Sequence, residues 1–319
     1  MKSPSPPLLV LVGPTASGKS EVAMGVAQRL RVEIVSGDSM QVYRGMDVGT
    51  AKPSPLERAA VPHHLLDLVD PREPFSVAAF KEEADRSIVE VHQRGNLPFL
   101  VGGSGLYIRA VVENYDLSPD ETDASIRDKW RLAAQREGMA ALHRKLGEVD
   151  PAAAARIHPN DLRRLVRALE VWERTGHPIS EAVGRTGARG RLYDVLQMGL
   201  AWPREELYRR IDRRVDRMIA AGLVGEVERL AARGFGQVAG QALGYKEFLP
   251  SLRGEISLEE AAARLKQDTR RFAKRQLTWF RAQPEVHWIE TGAAGWPEGV
   301  VEETVRLVAE KWPGMYNRG

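Results

Sequence analysis

A parallel α/β sheet flanked by helices and interrupted by an all-helical insertion is the fold this sequence predicts, on three observations. Short apolar runs at residues 8–12, 32–35, 97–101 and 195–200 alternate with helical patterns. The first run passes directly into Gly13-Pro14-Thr15-Ala16-Ser17-Gly18-Lys19-Ser20, which fits G-x-x-x-x-G-K-[ST] between a strand and a helix. From residue 116 to residue 191 the pattern is helical and no strand is evident. The sheet is therefore P-loop NTPase-like and is assigned to residues 1–115 and 192–319, with the insertion at 116–191.

Each element follows from its own residues. Residues 8–12 are apolar throughout, as a strand buried on both faces must be. Gly13 and Gly18 allow backbone conformations closed to residues with a Cβ, so successive N–H groups can face one anion hollow. The helix that starts near Lys19 adds the positive end of its dipole. In this pattern Lys19 reaches the terminal phosphates, and the Ser20 hydroxyl is the ligand for Mg²⁺. The motif implies a diphosphate or triphosphate, not hydrolysis.

The second strand, residues 32–35, is followed by Ser36-Gly37-Asp38-Ser39-Met40-Gln41. An Asp at the carboxyl end of a strand lies where open α/β sheets keep their chemistry. Asp38 reads either as a general base there or as a turn former and helix cap. Residues 75–94 read as a helix. The strand at 97–101 enters Gly102-Gly103-Ser104-Gly105-Leu106-Tyr107 without the acid that hydrolytic relatives of the loop use to hold Mg²⁺.

Residues 116–120 open the insertion, and helical patterns follow at 126–137, 139–148 and 151–157. His158-Pro159-Asn160-Asp161 then caps a helix running from residue 162 to about 175. After the strand at 195–200, long helical patterns occupy 204–233 and 258–281, a short strand 287–290, and a last helix 300–311.

Two of these helices carry clustered cations. Leu207, Ile211, Val215 and Met218 form a buried stripe, flanked by Arg210, Arg213, Arg214 and Arg217, with Arg214 nearest the apolar edge. Such arginines read as an anion clamp with packed stems, or as a solvated face paired with Asp212 and Asp216. The 258–281 pattern contains Arg270-Arg271-Phe272-Ala273-Lys274-Arg275-Gln276-Leu277-Thr278-Trp279-Phe280-Arg281. Interleaved cations and aromatics suit a nucleic-acid backbone with stacked bases. The competing reading is an amphipathic helix with Phe272, Leu277, Trp279 and Phe280 in the core. Arg163, Arg164 and Arg167 make a second basic patch. His63-His64-x-x-Asp67 could begin a metal site, but without a further ligand cluster it reads as a structural or substrate contact.

Composition narrows the classes. The 319 residues suffice for one large or two modest domains, and the net charge of +3 is too small to demonstrate nucleic-acid binding by itself. No apolar run approaches the roughly 18 residues of a membrane span. The first seven residues lack a signal-peptide profile. The absence of Cys excludes disulfides, thiolate zinc sites and a thiol nucleophile, and is consistent with a cytoplasmic protein.

With these motifs in hand, the chain resembles the tRNA dimethylallyltransferases, also called isopentenyl-tRNA transferases. The resemblance rests on GPTASGKS at 13–20, GDSMQVYRGMDVGTAKP at 37–53, VPHHLLD at 61–67, VGGSGLY at 101–107, IHPNDLRRLVRALE at 157–170, ALGYKE at 242–247 and AKRQLTWFR at 273–281. It covers nearly the whole chain in order. It implies transfer of a dimethylallyl group from dimethylallyl diphosphate to N6 of adenosine 37, beside the anticodon, in tRNAs reading codons that start with U. It implies Mg²⁺ as cofactor and a tRNA-gripping insertion; beside it, no membrane partner and a monomer are expected. Carried over residue by residue, Asp38 is the base, Thr15 and Arg214 act on the diphosphate, and residues 13–20 bind it. Asp38, Ser39, Met40 and Gln41 surround a flipped adenine, whose donor and acceptor Gln41 can match. Ser104, Arg127, Arg163, Arg164, Arg167, Gln241, Gly244, Tyr245, Lys246, Lys274, Arg275, Gln276, Trp279 and Arg281 fall where the family contacts tRNA. Two alternatives stay open: an adenylate isopentenyltransferase acting on free nucleotide, and a P-loop nucleotide kinase.

Overall fold

In the computed structural model the described residues are 5–117, 124–181, 190–292 and 296–316. They belong to two compact units, residues 1–112 with 191–319, and residues 113–190. The positions 118–120 that opened the expected insertion lie outside the described residues.

The first unit is built on a six-stranded sheet: β1 (Pro7–Val12), β2 (Val32–Gly37), β3 (His63–His64), β4 (Leu97–Gly102), β5 (Asp194–Ala201) and β6 (His287–Glu290). Their order is β3-β2-β4-β1-β5-β6 and every pairing is parallel. The central strand β1 has Leu8, Leu9, Val10, Leu11 and Val12 all at 0 % exposure, the burial its unbroken apolar run demands. Its register puts Val12 beside Gly102, and Gly102 in turn lies beside Gly37. The loops after β1, β4 and β2 therefore leave one edge side by side, at the carboxyl ends where open sheets bind ligands. Around the sheet lie α1 (Lys19–Arg29), α2 (Pro55–Ala60), α3 (Val77–Gln93) and α4 (Gly105–Val112). Helix α3 buries Phe80, Ala84, Ile88 and Val91, the stripe its helical spacing predicts.

The second unit is helical among its described residues. It contains α5 (Ala124–Glu137), α6 (Met139–Val149), α7 (Pro151–Ala154) and α8 (Leu162–Thr175), packed on Leu142, Leu146, Leu165 and Leu169. The expected cap is present: the Asp161 side chain accepts from the Arg164 backbone N–H at 3.1 Å.

The chain then completes the first unit with α9 (Arg204–Ala220), α10 (Leu223–Arg233), α11 (Leu249–Leu252), α12 (Leu258–Arg281) and α13 (Glu298–Lys311). The 204–233 pattern is thus two helices. Gly222, at φ 96, adopts a left-handed conformation that turns the chain between them. The Ala-rich run 151–157 forms a helix only as far as Ala154. Strand β3 was not expected, because two residues carry no periodicity.

Candidate active site

The loop after β1 is held from outside so that its interior stays open. Trp202 Nε1 donates to the Ser17 carbonyl at 2.9 Å, and Arg210 Nε donates to the Ala16 carbonyl at 2.9 Å. Arg210 lies over the Trp202 ring at 4.1 Å and near Trp296 at 5.4 Å. Because peptide units are planar and trans, a carbonyl fixed outward directs the N–H of the same unit to the opposite side. Gly18, at φ 85, allows the turn into α1, and a Cβ there would come within 2.4 Å of Trp296. Helix α1 has no side-chain cap, so its first N–H groups remain available to an anion. Lys19 Nζ donates to the carbonyls of Gly13 at 3.0 Å and Pro14 at 2.8 Å.

A cleft of about 1830 Å³ opens over this loop and is lined by Thr15, Lys19, Asp38, Gln41, Arg214 and Gln276, among others. Burial pushes the Lys19 ammonium down to about 7, the Arg214 charge adds to that, and Asp38 opposes it. Burial also lowers Arg214, again opposed by Asp38. Three chain segments thus bring two cations and one carboxylate into each other's field. The solvated-face reading of α9 fails for its acids: Asp212 pairs with Arg270 and Asp216 with Lys266, both partners on α12. Among the described residues Arg214 has no ion-pair partner, as an anion clamp requires.

Asp38 makes the turn bond of one sequence reading and stands where the other would need it. Its Oδ1 accepts from the Met40 N–H at 2.8 Å, a turn bond, while its carboxylate lines the cleft. The Ser39 N–H donates to Ser104 Oγ at 2.9 Å, which fastens this turn to the loop after β4. At the end of β4 two positions are too crowded for a side chain. A Cβ on Gly102 would stand 2.2 Å from the Gly37 carbonyl oxygen, and one on Gly103 2.4 Å from Gln276 Nε2.

Several residues expected at the RNA surface are otherwise engaged. The Gln41 amide accepts from Ser36 Oγ at 2.8 Å and faces the carbonyls of Thr50 and Ala51 at 3.3 and 3.4 Å, so both of its polar ends have protein partners. Tyr245 is fully buried, its hydroxyl donating to Glu226 at 2.7 Å, and Gly244 is buried beside it. Gln276 is 7 % exposed and bridges the Thr15 N–H and the Gly103 carbonyl, each at 2.9 Å. These three side chains or backbones are internal, not part of an exposed RNA face. Lys246 is partly exposed beside Glu247 and Asp268, while Gln241 is exposed.

Lys274, Arg275, Trp279 and Arg281 lie on the outer side of α12. Trp279 is 37 % exposed instead of core, whereas Phe280 is fully buried. In the helical unit Arg163 and Arg164 are exposed, but Arg127 and Arg167 both pair with the buried Glu170, at 2.9 and 3.1 Å. His63 Nδ1 meets the Val61 carbonyl and the residue lines the cleft, whereas His64 Nε2 meets Glu33 at 2.7 Å. No cluster of three or more His, Asp or Glu side chains suited to a metal exists among the described residues.

Glu226 escaped sequence reasoning, since a Glu on an amphipathic helix reads as solvated. It is 2 % exposed and accepts the N–H groups of Asp47, Val48 and Gly49, shaping the cleft wall. Gln276 carried a usable signal: it falls in the buried series Ala261, Leu265, Thr269, Ala273, Gln276, Phe280. Arg210 stands one turn before Arg214 and so shares its face.

Comparisons with known proteins give the family. The IPP transferase family matches residues 41–283, and an isopentenyl transferase family matches residues 6–68. A tRNA dimethylallyltransferase of Symbiobacterium thermophilum is 52% identical over 314 residues, covering 98% of each chain. One of Moorella thermoacetica is 54% identical over 290 residues, covering 89% of this chain and 90% of its own. The solved tRNA isopentenylpyrophosphate transferase of Bacillus halodurans is 44% identical with a TM-score of 0.70, over 95% of this chain and 96% of that one. A eukaryotic dimethylallyltransferase solved acting on tRNA gives a TM-score of 0.80 at 27% identity, over 99% of this chain and 81% of that one.

Proposed function

We infer that this chain, which belongs to the IPP transferase family, transfers a dimethylallyl group from dimethylallyl diphosphate to N6 of adenosine 37 in tRNA. One observation carries the chemical part of this reading. Lys19, Arg214 and Asp38 share one cleft, while the two positions at the end of β4, Gly102 and Gly103, are too crowded for a side chain without displacement.

The balance of the step matches that arrangement. The bond from the allylic carbon to the diphosphate oxygen breaks as the bond from N6 to that carbon forms, and the N6 proton passes to a base. Diphosphate leaves with growing negative charge, which Lys19, Arg214, the uncapped N–H groups at the start of α1 and the Thr15 side chain are suited to stabilise. The exocyclic amine is a poor nucleophile because its lone pair is delocalised into the ring, so proton acceptance by Asp38 accelerates attack. The adenine must leave its stack to reach the cleft, and the turn at 38–41 is its proposed seat. Because the Gln41 amide is committed to Ser36 and the 50–51 carbonyls, it serves there as a fixed wall of that seat.

Mg²⁺ fits the residues available. Ser20 offers an exposed hydroxyl in the first turn of α1, and Mg²⁺ takes phosphate oxygens and water instead of a protein cage. When bound, it would neutralise charge on the diphosphate. The proposed RNA contacts are Arg163 and Arg164 in the helical unit, and Lys274, Arg275, Trp279 and Arg281 on α12. A monomer acting in the cytoplasm completes the reading, and no helix among the described residues is long and apolar enough to cross a membrane.

The experiment is incubation with labelled dimethylallyl diphosphate and bulk tRNA, then nucleoside analysis. Label in N6-dimethylallyladenosine is the expected result. Label on free AMP, ADP or ATP alone would favour the free-nucleotide alternative, and Mg²⁺-dependent ATP turnover without prenyl transfer would favour a kinase.

A further inference from the structure

Helix α12 presents its basic, aromatic side outward, yet one polar residue on its inner side reaches the phosphate loop. Gln276 Oε1 accepts from the Thr15 N–H at 2.9 Å, and Gln276 Nε2 donates to the Gly103 carbonyl at 2.9 Å. The residue is 7 % exposed and is separated from Thr15 by 261 positions in sequence. The peptide unit that carries the Thr15 N–H also carries the Pro14 carbonyl. That carbonyl accepts Lys19 Nζ at 2.8 Å and the Ser17 N–H at 3.3 Å. A peptide unit is planar and turns as one body, so fixing its N–H fixes its carbonyl. The orientation of the 14–15 peptide is thus set by Gln276 on one side and read by Lys19 on the other.

The surroundings pack closely around this amide. A Cβ on Gly103 would lie 2.4 Å from Gln276 Nε2 and 3.3 Å from the Gly13 carbonyl oxygen. One on Gly105 would lie 2.3 Å from the Trp279 ring. Glycines at both positions let the loop after β4 press against α12, and Ser104 between them holds Ser39, next to Asp38.

We propose that Gln276 is a positioning residue for the anion site: it holds the 14–15 peptide so that Lys19 is presented to the diphosphate, and it does not contact RNA. The proposal rests on the diphosphate reading of the loop, and its probe, inorganic pyrophosphate with Mg²⁺, requires no prenyl chemistry.

Gln276→Met keeps the volume and removes both hydrogen bonds. Pyrophosphate affinity should fall by about tenfold, the size of effect expected when one hydrogen bond to a charged group is misaligned. Affinity for tRNA should stay within twofold. In prenyl transfer, KM for dimethylallyl diphosphate should rise more than kcat falls. Gly103→Ala supplies an independent route, since it displaces the same amide without altering it, at a backbone position outside the left-handed region. Its signature should match, and the double variant should lose less than the sum of the two single losses.

Circular dichroism and thermal melting establish that each variant is folded, and if Gln276→Met does not fold, Gly103→Ala alone decides by the same readings. Unchanged pyrophosphate affinity in the folded variants would overturn the proposal. So would an equal loss of tRNA affinity, which would return Gln276 to the RNA surface, or additive losses in the double variant. A wild-type protein that binds pyrophosphate but fails to prenylate tRNA would sink the proposed function and leave this inference to be decided by the same titration.

Discussion

Two of the cation groups of this chain are built on opposite principles. In the cleft, Lys19 and Arg214 are partly buried, and neither has an ion-pair partner among the described residues; Asp38 supplies the opposing field. In the helical unit, Arg127 and Arg167 are pinned to the buried carboxylate of Glu170, while Arg163 stands in solvent and the exposed Arg164 pairs only with the surface carboxylate of Asp161. Burying a cation without a counterion is unfavourable, so a site that does so is poised for an anion from outside. A neutralised cation is a structural tie, and an exposed one adds screened, additive attraction. Position relative to a carboxylate, more than the number of arginines, separates chemistry from surface.

Removing the carboxylate from the cleft should give the largest effect. Asp38→Asn keeps the size and the turn acceptor for the Met40 N–H but removes the proton acceptor, so turnover should fall on the order of 10²–10⁴-fold. Folding and tRNA binding should persist. Near-normal turnover at saturating substrates would reduce Asp38 to its turn bond.

The next effect comes from the unneutralised cations themselves. Lys19→Ala and Arg214→Ala should each weaken diphosphate binding and slow chemistry, by roughly 10²–10³-fold in turnover, as for other lost stabilisers of an oxyanion. Affinity for tRNA should remain within a few-fold. Equal loss of tRNA binding in both variants would erase the distinction between cleft and surface.

How much of this was legible follows from the kind of signal each feature leaves. The strands 8–12 and 97–101, the phosphate loop and the full extent of the 258–281 helix were legible, because apolar runs, glycines at fixed spacing and a long period are local properties. Asp38 was legible as a residue at a strand's carboxyl end, and Arg214 as the cation nearest an apolar stripe. What was hidden depends on partners distant in sequence. Glu226 is buried because three N–H groups near residue 48 meet it, and Gln276 because Thr15 does. Gln41 and Tyr245 looked free to meet RNA until their partners were known. The break at Gly222 was local but ambiguous, since one glycine inside a helical pattern is often tolerated.

A smaller effect is expected with pH. The Lys19 pKa is lowered from 10.5 to about 7, so the folded protein holds less of this proton than the unfolded chain between those values. With the unfolded chain binding more protons, the contribution of Lys19 to stability rises with pH across that window and is unfavourable below it. Anion binding reverses the preference, because a diphosphate favours the charged lysine. Raising the pH from about 6 to about 8 should therefore weaken pyrophosphate binding several-fold, with proton uptake on binding. Calorimetry in buffers of different ionisation enthalpy measures that uptake. Lys19→Ala should abolish it, and uptake that persisted unchanged in this variant would assign the proton to another group.

The smallest effects should come from the exposed cations, and they sharpen the comparison within the helical unit itself. Arg163→Ala and Arg164→Ala remove cations proposed to neutralise RNA phosphates and release their counterions, so tRNA binding should weaken by only a few-fold each. Plotted against salt on logarithmic axes, the slope should become shallower by about 0.7–0.9 for each phosphate left unneutralised. The same logic applies to Lys274 and Arg275 on α12, after circular dichroism has established an intact helix. Arg167→Ala should behave differently, because its guanidinium meets Glu170, a carboxylate with 0 % exposure that Arg127 also holds. Losing one of two partners to a buried charge lowers the melting temperature more than it alters the salt slope. Prenyl transfer from an already saturated complex should change little in any of these variants. If Arg163→Ala and Arg164→Ala left both affinity and slope unchanged while Arg167→Ala changed them, the phosphate contact would belong to the residue the structure ties down. Exposure would then be the wrong guide to the RNA surface of this unit.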